Sequence, residues 1–132
     1  MTAKMKILHV EDDRNIQLLV RAILERAGYE VATAVDAMQG VMMARSFAPN
    51  LIVLDIMIPA GGGQSVFERV RNLTGTSHVP ILIYSATPKE VFESSVTFGD
   101  DVLFLQKPAG NTEILKAVES LLNGTPPAAP LP

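Results

Sequence analysis

Acidic, hydroxyl and lysine side chains stand at the ends of four short apolar segments of this 132-residue sequence. Glu11 and Asp12 follow the first segment, Asp55 ends another, Ser85 ends a third, and the last leads into Lys107. Clustered carboxylates repel one another unless a cation neutralises them, and Mg²⁺ binds through a few carboxylates, waters and phosphate oxygens. An Asp carboxylate can also act as a nucleophile, while lysine and serine donate hydrogen bonds to phosphate. If these groups meet, the chemistry that they favour is metal-assisted phosphoryl transfer to an aspartate.

The apolar segments are predicted to be strands. They are apolar nearly throughout rather than alternating, as in a parallel sheet that is covered on both faces. The predicted strands are Lys6–Val10, Glu30–Ala34, Leu51–Asp55, Pro80–Ser85 and Val102–Leu105.

Helix signals fall between the strands. The first predicted helix is an apolar stripe from Ile16 to Ala27 that ends before Gly28, and a capping box of Asp36 and Gln39 opens a second helix, which stops before Pro49. A third helix covers about 64 to 73, and a fourth starts with Thr87 as N-cap and Pro88 in the first helical position. The fifth is an apolar stripe that ends at Leu122, with Asn111 as N-cap and Gly124 beyond its end. Five strand–helix repeats predict an α/β, doubly wound, five-stranded parallel sheet. If its order is 2-1-3-4-5, that of flavodoxin-like (βα)5 folds, strands 1 and 3 are neighbours. Ligands in such sheets bind beyond the carboxyl ends of the strands.

Four motifs in this order resemble those of response-regulator receiver domains from two-component phosphorelays, including the chemotaxis type. They are "ILHVEDD" at 7–13, "LIVLDIMIP" at 51–59, "ILIYSAT" at 81–87 and "FLQKP" at 104–108. The resemblance runs from about Lys6 to Asn123. It implies a receiver domain over residues 1–123, followed at 124–132 by a proline-rich tail or a truncated linker.

The resemblance implies a metal and phosphate site. Glu11 and Asp12 match the acidic metal pair, and Asp55 matches the phosphoacceptor, which also binds the metal. The backbone carbonyl of Met57 matches a further metal contact. Lys107 matches a catalytic lysine before a proline whose peptide bond is often cis. The implied cofactor is Mg²⁺, with Mn²⁺ as an alternative.

The resemblance also implies switch and modulator positions. Ser85 matches the hydroxyl that contacts the phosphoryl group and reports it, and Phe104 matches the aromatic switch position. Met57 and Thr87 flank the reacting centre and would set the rate of hydrolysis. Neither orients water well, because Met57 is apolar and Thr87 is short. Slow hydrolysis of the phosphorylated form is therefore expected.

The implied function is signalling, with catalysis limited to the chain's own phosphoryl transfer and slow autodephosphorylation. The implied phosphoryl donor is a sensor histidine kinase or a histidine phosphotransfer protein. The implied output surface is the face of the fourth helix, strand 5 and the fifth helix, which would meet a target protein or an output domain. A homodimer that forms on phosphorylation is a further expected partner.

Composition limits the alternatives. A net charge of −3 without a basic patch argues against direct nucleic-acid binding, and the apolar runs are too short to cross a membrane. No cysteine is present, which is compatible with the cytoplasmic location that we expect. His9 and His78 have no ligand-spaced partners, so we interpret both as structural.

Three rival functions fit less well. A phosphatase of the haloacid-dehalogenase type needs a second carboxylate two residues after its aspartate, and that position is Met57. A flavin-binding module would place its phosphate against the acidic cluster, which would repel it. A receiver that no longer takes phosphate usually loses a key position, and none is lost here.

Two loops depart from the commonest pattern of the family. Residues 60–63 read Ala-Gly-Gly-Gly, which predicts a more flexible loop without loss of function. Pro108 is followed by Ala109 and Gly110 rather than by a bulky residue. The second departure predicts a looser contact between this loop and a partner.

Overall fold

Five parallel strands and five helices alternate along the residues that the computed structural model describes, 4–58, 62–93 and 99–124. The strands are β1 Lys6–Val10, β2 Glu30–Ala34, β3 Leu51–Leu54, β4 Ile81–Ser85 and β5 Val102–Gln106. The helices are α1 Arg14–Arg26, α2 Ala37–Ser46, α3 Gly62–Asn72, α4 Lys89–Glu93 and α5 Asn111–Leu122. The predicted strand bounds are confirmed to within one residue. The start of the glycine loop and the proline-rich tail lie outside the described residues.

The sheet has the order β2-β1-β3-β4-β5, with every pairing parallel, which confirms the predicted topology. Val10 pairs with Leu54, so Glu11 and Asp55, the first residues after these adjacent strands, lie side by side at the same edge of the sheet. The Asp55 N–H donates to the Val10 carbonyl oxygen at 3.1 Å, which ties the two strand ends together. Ser85 pairs with Gln106 at the same edge, one residue before Lys107.

The two sheet faces bury separate apolar clusters. Along β4, Ile81 and Ile83 pack on the side covered by α2 and α3, whereas Leu82 and Tyr84 pack on the side covered by α1 and α5. This alternation follows from the period of two along a strand, and burial on both faces explains why the strands are apolar nearly throughout. No helix in the described ranges is long and apolar enough to cross a membrane.

Local capping agrees with much of the sequence pattern. The Asp36 carboxylate accepts the Gln39 N–H at 2.8 Å, and the Gln39 side chain accepts the Val35 N–H at 3.1 Å, one residue before the expected partner of a capping box. Gly28 has φ +99°, which suits the predicted left-handed position after α1.

Three helix starts differ from the prediction. The third helix, α3, begins at Gly62, two residues before the expected start near 64. The N-cap of α5 is Gly110 and not Asn111, because the Glu113 side chain reaches back to accept the Gly110 N–H at 3.2 Å, leaving Asn111 as the first helical residue. The first residue of α4 is Lys89, one later than expected, so Pro88 directly precedes the helix.

Gly63 in the first turn of α3 lies against the backbone that follows β3. Its N–H donates to the Ile56 carbonyl oxygen at 2.8 Å. A Cβ atom added at Gly63 would lie 2.1 Å from the Asp55 carbonyl oxygen, far inside van der Waals contact. Only glycine lets α3 approach the backbone that carries Asp55 this closely.

Replacing Gly63 with alanine should therefore destabilise the fold by about 3 kcal/mol, because backbone atoms cannot move aside as a side chain can. Urea unfolding measures this loss. Gly75→Ala is the matched control, because its added Cβ meets nothing within 4 Å. That control should change the free energy of unfolding by less than about 1 kcal/mol. Equal effects of the two substitutions would contradict the close approach at Gly63.

Candidate functional site

Three carboxylates converge at the carboxyl edge of the sheet. Oxygen atoms of Glu11, Asp12 and Asp55 all lie within 4.8 Å of one another. Glu11 and Asp55 are 1% and 5% exposed, whereas Asp12 is exposed to solvent. They meet because β1 and β3 are neighbours in register and both end at this edge. The cluster therefore combines two buried acids with one that opens to solvent.

Lys107 bridges the two buried acids. Its Nζ lies 2.6 Å from Glu11 Oε1 and 2.9 Å from Asp55 Oδ2. The lysine follows β5, where its N–H donates to the Ser85 carbonyl oxygen at 2.9 Å, and the Lys107–Pro108 peptide bond is cis. The ammonium group thus serves as counter-ion to both carboxylates.

The other oxygen of Asp55 accepts two neutral donors. The Ser85 hydroxyl donates to Asp55 Oδ1 at 2.7 Å, and the Met57 N–H donates to the same atom at 3.1 Å. The Thr87 N–H in turn donates to Ser85 Oγ at 3.3 Å. These bonds fix the orientation of the Asp55 carboxylate.

Glu11 is held from the α1 side. Its Oε2 accepts the Asp13 N–H at 3.2 Å, and its backbone carbonyl accepts the Gln17 side-chain amide at 2.6 Å. Asp13 also caps α1 by accepting the Ile16 N–H at 3.1 Å. The start of α1 is therefore tied to the acidic cluster.

Burial and hydrogen bonding move the pKa values of the buried groups apart. Burial raises the pKa of Glu11 to about 7, against the opposing effect of its bond from Lys107. Burial also acts to raise the pKa of Asp55, but hydrogen bonds from Lys107 and Ser85 outweigh it and leave this pKa below the ordinary value. Burial acts to lower the pKa of Lys107, yet its bonds to both carboxylates raise it. At neutral pH, Asp55 is therefore an anion and Lys107 a cation.

The structure brings together Glu11, Asp12, Asp55, Ser85 and Lys107, the residues expected to share the site. The other expected residues lie around them. The Met57 side chain is 69% exposed, and Phe104 pairs with Ile83 on β4 and packs, partly buried, against the core on the α2 and α3 side. The roles of all these residues stay predictions.

Gln17 and Tyr84 also contact the site or its supporting loop, and neither was anticipated. The Tyr84 hydroxyl accepts the Ala109 N–H at 3.2 Å, next to the Lys107–Pro108 pair. Gln17 lies six residues beyond Glu11, in the first turn of α1, and no local motif marks it. Tyr84 directly precedes Ser85 on β4, so the sequence indicates that it lies at the same edge of the sheet with its side chain on the opposite face.

The chain belongs to the response regulator receiver domain family, whose sequence model matches residues 7–119. It is similar to the DNA-binding dual master transcriptional regulator RpaA of Synechocystis, with 36% identity over 91% of this chain and 50% of that protein. It is also similar to the alkaline phosphatase synthesis regulatory protein PhoP of Bacillus subtilis, with 34% identity over 95% of this chain and 51% of that protein. The chain thus spans about half the length of these relatives.

Solved structures share the fold. A receiver domain of a sensor histidine kinase from Pseudomonas aeruginosa, with magnesium in its active-site cleft, superposes with a TM-score of 0.83 at 24% identity, covering 92% of this chain and 99% of that one. A CheY-like receiver domain protein from Methanospirillum hungatei has a TM-score of 0.81 at 25% identity, covering 92% and 95%. The chain is a receiver domain of the two-component response-regulator type.

Removing the Lys107 charge should destabilise the fold in a metal chelator by on the order of 3 kcal/mol, because Glu11 and Asp55 would remain buried without a counter-ion. Urea unfolding of Lys107→Met, at a pH well above the Glu11 pKa of about 7 so that both acids are ionised, measures this cost. Adding Glu11→Gln should recover about 1 kcal/mol or more, since one of the two repelling charges is then gone.

Lys116→Met is the matched control. Lys116 is an exposed lysine on α5, and its loss should change the free energy of unfolding by less than about 0.5 kcal/mol. Strictly additive effects of Lys107→Met and Glu11→Gln would show that the lysine does not neutralise the pair.

Proposed function

We propose that this chain accepts a phosphoryl group on Asp55, in a Mg²⁺-dependent reaction, from a phosphohistidine of a sensor kinase or a histidine phosphotransfer protein. The observation that carries this proposal is the surrounding of one buried carboxylate by Lys107, Ser85 and two further acids. Membership of the receiver family supports it. Catalysis is limited to the chain's own phosphoryl transfer and its slow autodephosphorylation, in which water hydrolyses the acyl phosphate.

The transfer needs little more than positioning and charge. An Asp55 oxygen attacks phosphorus while the bond from phosphorus to the imidazole nitrogen breaks, and the nitrogen keeps the electron pair. The product is an acyl phosphate. Lys107 and Ser85, which now donate to Asp55, can donate to the oxygens of the transferred group. Both donors are already in place before the reaction, so little reorganisation is required.

The donor set suits Mg²⁺. Carboxylate oxygens from Glu11, Asp12 and Asp55 lie close together, and hard oxygen ligands are those that Mg²⁺ prefers. Each oxygen has two lone pairs, so a bond from Lys107 leaves room for a metal. We propose the Met57 backbone carbonyl as a further ligand and Mn²⁺ as an alternative ion. The bound ion would offset the charge of the incoming phosphoryl group, and magnesium in the cleft of the Pseudomonas receiver supports this assignment.

Signalling would pass through Ser85 and Phe104. The Ser85 hydroxyl already points at Asp55, so phosphorylation would exchange its acceptor for a phosphoryl oxygen rather than draw it in from a distance. Phe104 pairs with Ile83, two residues before Ser85, and lies where a shift of β4 would reach it. A target protein or output domain, or a second copy of the phosphorylated chain, would read the change on the α4–β5–α5 face. Residues 94–98 of that face lie outside the described residues.

We propose one receiver domain over residues 1–123, with the proline-rich segment 124–132 serving as a tail or linker, and a cytoplasmic location. Absence of direct nucleic-acid binding by this domain is also part of the proposal. The net charge of −3 supports it, because repulsion from phosphate backbones would oppose such binding.

Incubation with acetyl phosphate and Mg²⁺ should add one phosphoryl group to the chain, as measured by intact mass. Asp55→Asn should abolish the addition, because an amide oxygen is a poor nucleophile toward phosphorus. A chelator should abolish it in the parent. Labelling of Asp55→Asn at the parent level would place the acceptor elsewhere.

Asp12→Ala separates the metal from the acceptor. Asp12 is exposed, so its removal should leave the fold intact, while labelling should become weak even at millimolar Mg²⁺. In the same variant Mg²⁺ should no longer raise the melting temperature, which it does in the parent by binding the folded state. Equal stabilisation of both proteins by Mg²⁺ would remove Asp12 from the metal site.

The acyl phosphate should last well beyond seconds, because the side chains of Met57 and Thr87 do not orient an attacking water. Met57→Asn with Thr87→Glu should shorten its lifetime by at least about tenfold, since amide and carboxylate groups can hold that water. Decay of the phosphorylated mass after removal of acetyl phosphate measures it. Met42→Asn is the matched control, because Met42 is 63% exposed and lies on α2. An unchanged lifetime in the double variant would contradict this role.

A further inference from the structure

Tyr84 lies directly beneath the loop that carries Lys107. It precedes Ser85 on β4, so its side chain leaves the opposite face of the sheet, where it is 5% exposed. There it packs in the apolar cluster shared with α1 and α5, and Ala109 packs against the same cluster. A buried tyrosine hydroxyl at such a place needs a hydrogen-bond partner.

The partner of that hydroxyl is the loop itself. The Ala109 N–H donates to the Tyr84 hydroxyl at 3.2 Å, and the Tyr84 ring centroid lies 5.7 Å from Lys107 Nζ. The ring is therefore within the range of a cation–π contact with the ammonium group. One side chain thus touches the loop on both sides of Pro108.

A second hydrogen bond from β4 holds the other end of this loop. The Lys107 N–H donates to the Ser85 carbonyl oxygen at 2.9 Å. Two consecutive residues of β4 therefore hold the two ends of the Lys107–Ala109 turn, one through its backbone and one through its side chain. The turn cannot shift along the strand end without losing both bonds.

We propose that Tyr84 is a positioning residue that holds Lys107 within hydrogen-bond reach of Glu11 and Asp55. The Tyr84 hydroxyl accepts the backbone N–H of Ala109 and so fixes the end of this turn. A leucine in place of Tyr84 would fill the apolar cluster but would leave the Ala109 N–H without the hydroxyl that accepts it. Tyrosine supplies both an apolar ring for the cluster and a hydroxyl oxygen for the Ala109 N–H.

The position of Lys107 should affect the rate of phosphoryl transfer to Asp55, an inference that rests on the proposed function. Lys107 must reach two carboxylates at 2.6 and 2.9 Å, so a small displacement of its turn would weaken both contacts. Misplacing a reacting or stabilising group by about 1 Å can cost up to ~100-fold in rate. Tyr84 acts through Lys107 and does not itself touch the reacting atoms.

The test compares Tyr84→Phe, which removes only the hydroxyl, with the parent chain. The rate of Asp55 labelling by acetyl phosphate at saturating Mg²⁺ should fall about tenfold, with the fold intact by circular dichroism. In a Lys107→Met background, Tyr84→Phe should cause no further loss, because its effect passes through the lysine. A purely structural role would lower the rate by the same factor in both backgrounds.

Chemical shifts of the Lys107 side chain give a readout that is independent of phosphorylation. Tyr84→Phe should move them because the turn shifts, and Tyr84→Leu should remove the ring-current effect altogether. Phe67→Leu is the control, since Phe67 is a buried aromatic that packs in the apolar cluster on the α2 and α3 side of the sheet, opposite the cluster of Tyr84. It should leave both the shifts and the labelling rate unchanged.

The outcomes separate the two proposals. Parent-level labelling together with unchanged Lys107 shifts in Tyr84→Phe would overturn the positioning role. Equal rate losses in the parent and Lys107→Met backgrounds would overturn it as well. A parent chain that is never labelled would instead overturn the proposed function, and the Lys107 shifts would then decide the role of Tyr84 alone.

Discussion

The contact of Lys107 with Glu11 and Asp55 is the interaction on which the site depends. Two carboxylates brought to the same sheet edge and buried there repel each other and lose their hydration. One ammonium group, 2.6 and 2.9 Å from them, offsets much of that cost. The strand order brings the two carboxylates together, the turn after β5 brings the ammonium group to them, and the start of α1 holds Glu11 in place.

The same arrangement prepares the site for chemistry. Asp55 stays ionised because hydrogen-bond donors surround it, whereas burial raises the pKa of Glu11, which accepts fewer hydrogen bonds, to about 7. The buried imidazole of His9 stays neutral, since burial and then the nearby Lys107 charge lower its pKa to about 3. Neither of its nitrogens has a partner among the described residues. The buried polar groups near the site are therefore the Asp55 anion, the Lys107 cation and the neutral imidazole of His9.

Strand β4 supports the site from both faces of the sheet. Ser85 donates to Asp55, and Tyr84, one residue earlier, points to the opposite face and accepts the Ala109 N–H of the loop that carries Lys107. Gly63 works from the α3 side, where the absence of a side chain lets the helix approach the Asp55 backbone. The site is therefore held by elements that are distant in sequence and fixed relative to one another by the core.

Sequence alone determined the five strands and the five polar residues at or just after their ends, because apolar runs, caps and motifs are local patterns. The order that makes β1 and β3 neighbours came from the resemblance to receiver domains, and the rule that ligands bind beyond the carboxyl ends of the strands then predicted the edge where these residues meet. The N-cap of α5 escaped this reasoning, because Glu113 reaches back to Gly110 and shifts the cap by one residue. The bridge from Lys107 to Glu11 joins residues 96 apart, and the support from Tyr84 joins residues 25 apart. Such contacts depend on strand register and on the path of a loop, which only the tertiary structure decides.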